Sequence, residues 1–179
     1  MNVDIIVEAR TKSKRFPNKV IQKINNKFMI EIMIERLKKI KNVRYVILAT
    51  TQSKSDNILI KIAKKCKIKF YRGETRNVMK RVLKCAKSFK TDVIVEITGD
   101  NPLIDSSIST EMISFFLKKC HKYDYLSNDG AIYRTKTISK ITLGFSTKIF
   151  KTLTLEKVNS LTKNKVDQEH VANFILKNP

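Results

Sequence analysis

The stretch "VDIIVEARTKSKRFPNKV", residues 3–20, begins as a strand and breaks off into positive charge. Residues 3–9 are mostly apolar and on both faces, the pattern of a central parallel strand. The loop that follows carries Arg10, Lys12, Lys14, Arg15 and Lys19 around one proline. A solvated loop and a polyphosphate site would both look like this, so the rest of the chain has to decide.

Outward from that strand, the sequence alternates. Residues 28–40 place Met29, Met33, Leu37 and Ile40 on one helical face. Residues 43–49 predict a second strand, closed by polar "TTQSKSD", where Ser55 or Asp56 is placed to cap a helix burying Leu59, Ile62, Ala63 and Cys66. Residues 67–71 predict a short strand. Thr75 is placed to cap a helix carrying Val78, Val82, Ala86 and Phe89. Residues 93–98 are again a strongly apolar strand, followed by a helix over 107–121 with Ile108, Met112, Phe115 and Phe116 inward. Four strand–helix units in order predict an α/β fold with a largely parallel sheet. Beyond 124 the rhythm weakens: "DYLS" and "KITLGFSTKIF" read as strands, and helices are expected at 150–161 and 166–176. No linker divides the chain, so one domain over residues 1–179 is expected.

Composition narrows the class. At 179 residues with 42% hydrophobic content, the chain is long enough for a proper core and too apolar for disorder. No run approaches the roughly 18 uncharged apolar residues of a membrane span, and Asp4, Glu8 and Arg10 interrupt the first apolar stretch, unlike a signal peptide. A cytoplasmic protein is expected. The three cysteines, at 66, 85 and 120, form no CxxC pair and read as structural thiols. The net charge of +21 would suit a polyanionic partner. Its lysines are spread along the predicted helices, however, and no aromatic–basic RNA-recognition strand occurs, so nucleic acid is not the expected partner.

Parallel α/β sheets bind ligands beyond the carboxyl ends of their strands. Those ends here lead into "RTKSKRFPNK", "TTQSKSD", "RGETRN" and "GDNPLID": a basic loop, two polar turns and a pair of aspartates. Arginine forks and lysine point charges suit phosphate oxygens. Asp100, directly after residues 93–98, is placed to offer a carboxylate oxygen to Mg²⁺. Gly99 permits close backbone approach and Pro102 stiffens the turn. Taken singly, the basic loop reads equally as a solvated surface, and Asp105 as a helix cap. Joint placement after consecutive strands is what favours a phosphate ligand.

These residues resemble a family. "EARTKSKRFPNKV" resembles the QAR-x-G-S-x-R-x-P-x-K-V opening of sugar cytidylyltransferases, in particular the spore-coat polysaccharide type, related to the synthetases of CMP-activated sialic, Kdo and similar acid sugars. "YRGETRNVMKRV" is similar to RG-x-x-x-DVL-x-R, and "VIVEITGDNPLID" to VIVRITGD-x-PLID. "GFSTKIF" resembles GLDVEVF, and "QEHVANFILKNP" resembles REHVTPYI-x-NP. The resemblance implies a Rossmann-like nucleotide-diphospho-sugar transferase fold with flanking helices. It implies a transfer in which a sugar acid and CTP give CMP-sugar and pyrophosphate, for surface polysaccharide or glycan biosynthesis. On that pattern Arg10, Ser13, Arg15 and Lys19 hold the triphosphate, with Arg10, Lys19 and Asp100 as the catalytic group and Asp100 on Mg²⁺. Arg72, Gly73, Asn77 and Arg81 line the nucleoside end. Ser127, Asn128, Glu169 and His170 face the sugar.

The match has departures. Lys12 stands where the family loop has glycine, and a left-handed backbone there would cost about 1–2 kcal/mol. Asn77 replaces an aspartate and Glu8 a glutamine. Ser146 and Lys148 occupy the acidic positions of GLDVEVF. Family members generally continue past "NP" at 178–179, so a fragment or a shortened form is expected, with sugar contacts or a homodimer surface in the part beyond. Three rivals stay open: a related nucleotide-sugar or glycosyl transferase of the same fold, a non-catalytic member that binds nucleotide or a partner protein, and a basic nucleic-acid binder.

Overall fold

The computed structural model describes residues 1–12, 16–128 and 144–178. Its centre is β1 (Val3–Glu8), whose residues 3–7 are all buried. β1 pairs in parallel with β4 (Tyr45–Thr51) on one side and with β6 (Val93–Thr98) on the other. β5 (Lys69–Gly73) extends the sheet in parallel beyond β4. β8 (Lys148–Lys151) lies antiparallel to β6, and β7 (Tyr125–Ser127) antiparallel to β8. The order is β5-β4-β1-β6-β8-β7. A small hairpin, β2 (Lys23–Ile24) with β3 (Lys27–Phe28), lies apart from it. It escaped the sequence reading, although its turn residues Asn25 and Asn26 both take positive φ, as a tight two-residue hairpin requires.

The alternating side chains of each strand feed two cores. Val3, Ile5 and Val7 of β1 pack with helices α1 (Met29–Leu37), α2 (Asn57–Lys65) and α4 (Ser106–Lys119). Ile6, Ile47 and Ile94 face the other way, onto α3 (Val78–Ser88) and α5 (Thr152–Leu161). The chain therefore moves outward from β1 to β5 with helices on one face, then crosses back over the other face to β6. Strand order reverses between β1 and β6, which opens a crevice at their carboxyl ends.

Several local expectations change. α3 is capped by Asn77, whose side chain accepts from Lys80 N at 2.7 Å, and not by Thr75. Asp105 does cap α4, accepting from Ser107 N and Ile108 N. On α4 the inward face is Ile113 and Phe116, with Met112 at its margin. Ile108 and Phe115 are 48% and 49% exposed, because the helix presents a slightly rotated stripe to the sheet. The expected helix over 166–176 is two short ones, α6 (Lys165–Glu169) and α7 (Asn173–Lys177). The part of "KITLGFSTKIF" before Gly144 lies outside the described residues. All three cysteines are free thiols; Cys85 is buried, which pushes its thiol up to about 12.

Candidate active site

At the crevice, β1 and β6 stay bonded to their last residues, with Gly99 N donating to Glu8 O at 2.8 Å. A Cβ on Gly99 would sit 2.8 Å from Ala9 Cβ and 3.0 Å from Glu8 O, closer than such atoms approach. Glycine is required here by proximity, which is how Asp100 comes to stand directly above the β1–β6 junction.

Two predicted site residues meet at that point. Lys19 Nζ donates to Asp100 Oδ2 at 2.5 Å. Burial alone would lift the Asp100 carboxyl, but hydrogen bonds from Lys19 and Thr98 and the Lys19 charge hold it below the ordinary carboxylate range. Asp100 stays about half exposed, open to a ligand. Its loop is braced from below: Asn101 Nδ2 donates to Ser146 O, and Arg36 of α1 donates to the carbonyls of Ile104 and Leu103.

Arg10 follows β1 and donates to Thr75 O, after β5, and to Glu169 Oε1 of α6, each at 3.4 Å. Glu169, expected on the sugar side, is thereby paired with Arg10. His170 ends α6 and is exposed. Ser13 and Arg15 lie outside the described residues. Lys12 is not among the residues with positive φ, so the strain expected from its replacing glycine is not there.

The residues expected at the nucleoside end are tied into the scaffold. Arg72 donates from Nε to Thr51 O at 3.0 Å and from Nη2 to Ser53 O at 2.9 Å, tying the end of β5 to the loop after β4. Arg81 is only 2% exposed and donates from Nη1 to Glu74 O at 2.6 Å. Gly73 is where Arg81 passes: a Cβ there would lie 2.9 Å from Arg81 Cγ. Asn77 is occupied as the cap of α3. On the sugar side, Asn128 has both ends of its amide in use, donating to Phe145 O and accepting from Thr147 N at 2.8 Å. It shapes the wall by holding the start of β8. Ser127 closes the row opposite Lys148.

Three features went unread in the sequence. Glu8 closes β1 with its Oε2 sealed from solvent and without a hydrogen bond among the described residues. Burial, then the neighbouring Glu96 carboxylate, raises its carboxyl well above the usual range, against opposing pulls from Arg81 and Lys148. Lys148 reaches Glu96 Oε2 at 3.7 Å. Asp56 does not cap α2; its carboxylate turns to Thr11 and Thr51 instead. The acid in "TTQSKSD" was visible, but its partner Thr11 lies 45 residues away.

A mostly parallel six-stranded sheet with helices on both faces, and with Lys19 and Asp100 paired at its switch point, has the layout of an α/β fold that binds ligands at the carboxyl ends of its strands. The sequence profile of the cytidylyltransferases matches residues 5–179. A cytidylyltransferase structure from Leptospira borgpetersenii superposes with a TM-score of 0.91 at 31% identity, covering 99% of this chain and 72% of that one. An uncharacterised protein of Methanocaldococcus jannaschii is 36% identical over the whole chain, which spans 69% of that relative. The spore coat polysaccharide biosynthesis protein SpsF of Bacillus subtilis is 28% identical over 69% of this chain and 53% of its own. A 3-deoxy-manno-octulosonate cytidylyltransferase of Pelobacter propionicus is 31% identical over 58% of this chain and 40% of its own. The chain belongs to the cytidylyltransferase family, whose members are CTP-dependent nucleotidyltransferases.

Proposed function

We propose that this chain transfers the cytidylyl group of CTP to a hydroxyl of a sugar acid, releasing pyrophosphate, as a cytoplasmic step in surface polysaccharide or glycan biosynthesis. The observation that carries the reading is the Lys19–Asp100 pair at the β1–β6 switch point, flanked by Arg10. The sugar oxygen forms a bond to the α-phosphorus, the bond to the β-phosphate bridging oxygen breaks, and the hydroxyl proton passes to water. Side chains need do little covalent work, and their contribution is alignment and charge stabilisation.

In this reading Arg10, Ser13, Arg15 and Lys19 hold the triphosphate. Arg72, Gly73 and Arg81 keep the nucleoside floor rigid, with Asn77 fixing the start of α3. Ser127, Glu169 and His170 face the acceptor from the wall that Asn128 braces. Among the described residues no three His, Cys, Asp or Glu side chains converge as a metal cage. A single exposed carboxylate nevertheless suits Mg²⁺, which takes one or two carboxylates and completes its shell with phosphate oxygens and water. Asp100 would hold it, and when bound it would neutralise charge developing on the phosphates. Lys19 then has a second partner available in the phosphates.

Thermal shifts with CTP, UTP, ATP and GTP, each with and without Mg²⁺, test the reading. A ligand at ~100 times its dissociation constant adds about 2.7 kcal/mol. A selective rise with CTP plus Mg²⁺, followed by pyrophosphate release on adding 3-deoxy-manno-octulosonate or another sugar acid, is the expected result. A larger rise with a purine nucleotide would overturn it.

A further inference from the structure

Asp56 is almost fully buried, in the short helical turn (Lys54–Asp56) just ahead of α2. An acid at a helix start ordinarily accepts from the first amides of the helix. This one makes no such bond. Its Oδ1 accepts from Thr11 N at 2.8 Å and from Thr11 Oγ1 at 2.6 Å, and its Oδ2 accepts from Thr51 Oγ1 at 2.5 Å. Thr51 Oγ1 in turn accepts from Ser53 N at 3.1 Å. The ends of β1 and β4 are thus joined through one carboxylate, and Arg72 adds the end of β5 by clasping the carbonyls of Thr51 and Ser53.

Thr11 is the neck of the basic loop. Its carbonyl accepts from Asn18 N at 2.8 Å, closing the loop on itself. Asn18 takes φ 59, a left-handed turn that short polar side chains tolerate, and delivers Lys19 directly to Asp100. Fixing Thr11 therefore fixes both sides of the neck, and with them the points from which Arg10, Lys12 and Lys19 project. A carboxylate suits the task because it only accepts, can take several donors at once, and places a fixed negative charge behind the cations.

We propose that Asp56 is the positioning residue of the phosphate loop: by pinning Thr11 it holds the loop's cations in register for the distal phosphates of a nucleoside triphosphate. The proposal rests on the nucleotidyl-transfer reading above. It assigns Asp56 no contact with substrate, since Asp56 acts through Thr11.

The test compares CTP with CMP, because only the triphosphate reaches across the loop. Calorimetry on the full chain, with Mg²⁺, is run for wild type, Asp56→Asn, Asp56→Ala, Thr11→Val and Thr11→Ser. Asp56→Ala should weaken CTP at least about tenfold more than CMP, equivalent to about 1.4 kcal/mol of selective loss. Asp56→Asn, which keeps the shape but loses the charge and part of the accepting capacity, should fall between. Thr11→Ser should match wild type while Thr11→Val does not. Where Asp56→Ala does not fold, the Asn and Thr11 variants give the same comparison. Equal weakening of CTP and CMP, or a lowered melting temperature with CTP affinity intact, would overturn the proposal and leave Asp56 purely structural. A wild-type chain that binds no CTP would instead overturn the functional reading, a separate and visible result.

Discussion

Glu96 of β6 and Lys148 of β8 face one another across the antiparallel ladder, with Lys148 Nζ 3.7 Å from Glu96 Oε2. The motifs this chain resembles read VIVRITGD and GLDVEVF, with arginine where Glu96 stands and an acid where Lys148 stands. The two departures from the motifs therefore fall on one cross-strand pair of opposite charges. Lys148, which stands at an acidic position of GLDVEVF, is the cation that faces a nearly inaccessible carboxylate at position 96.

Lys148→Glu alone should then be strongly destabilising, since it sets a third carboxylate against Glu96 and Glu8. Breaking a buried pair costs about 3–5 kcal/mol, and each kcal/mol moves the melting temperature about 2–4 °C in a chain of this size. The double variant Glu96→Arg with Lys148→Glu should recover most of that loss. Melting curves that show the double variant no more stable than Lys148→Glu would refute the pairing.

Glu8 gives the chain a pH dependence of definite sign. Its carboxyl is raised well above the usual range by burial and by Glu96, so the folded chain holds that proton more tightly than the unfolded one. Stability is then lost as pH climbs from the ordinary glutamate value of about 4.3 through the raised one. Glutamine has nearly the shape of the protonated acid and does not titrate. Glu8→Gln should match wild type near pH 4 and become increasingly more stable than it towards pH 8. A constant difference between the two melting profiles across that range would contradict the assignment.

How much of this was legible follows from how local each signal is. Strand–helix alternation is written in neighbouring residues, so β1, β4, β6 and the inner faces of α1 and α3 could be read directly. Arg10, Lys19 and Asp100 each follow an apolar strand or its loop, and parallel strands carry such segments to one end of the sheet. The failures share a cause. Asp56 sits at a helix start and obeys the local rule for a cap, yet Thr11 outbids the helix amides from 45 residues away. Glu96 and Lys148 are unremarkable until β8 inserts between β6 and β7. Phe115 satisfies the helical period, but a small rotation of α4 turned it to the surface. Local pattern names the elements, whereas the pairing of charges depends on which strands become neighbours.

The amino end of the sheet carries a buried acid with no part in the site. Asp4 is fully buried and accepts from Arg44 Nη2 at 2.6 Å, Arg44 Nε at 3.1 Å, Thr91 Oγ1 at 2.5 Å and Tyr45 N at 3.1 Å. It joins the starts of β1 and β4 and the approach to β6. Asp4→Ala strands those donors and should cost about 3–5 kcal/mol, or about 6–20 °C of melting temperature. The CTP affinity of the folded fraction should be unchanged, because the crevice lies at the opposite end of the strands. A drop of under about 2 °C would show that the cluster is dispensable.

Asp100 offers the reverse combination, small in stability and large in function. Its partner Lys19 and its own carboxylate are both partly exposed, 27% and 45% for the side chains. Pairs in that setting contribute about 0–1 kcal/mol, so Asp100→Ala should melt within about 4 °C of wild type. Removing the carboxylate frees Lys19 for phosphate, so metal-free binding of CTP should persist or tighten. The additional stabilisation that Mg²⁺ gives the CTP complex should vanish, and with it the release of pyrophosphate. Thermal shifts with CTP, with and without Mg²⁺, separate these effects from unfolding. A variant that keeps the full Mg²⁺ increment would take Asp100 out of the metal site and leave it as the counter-ion of Lys19.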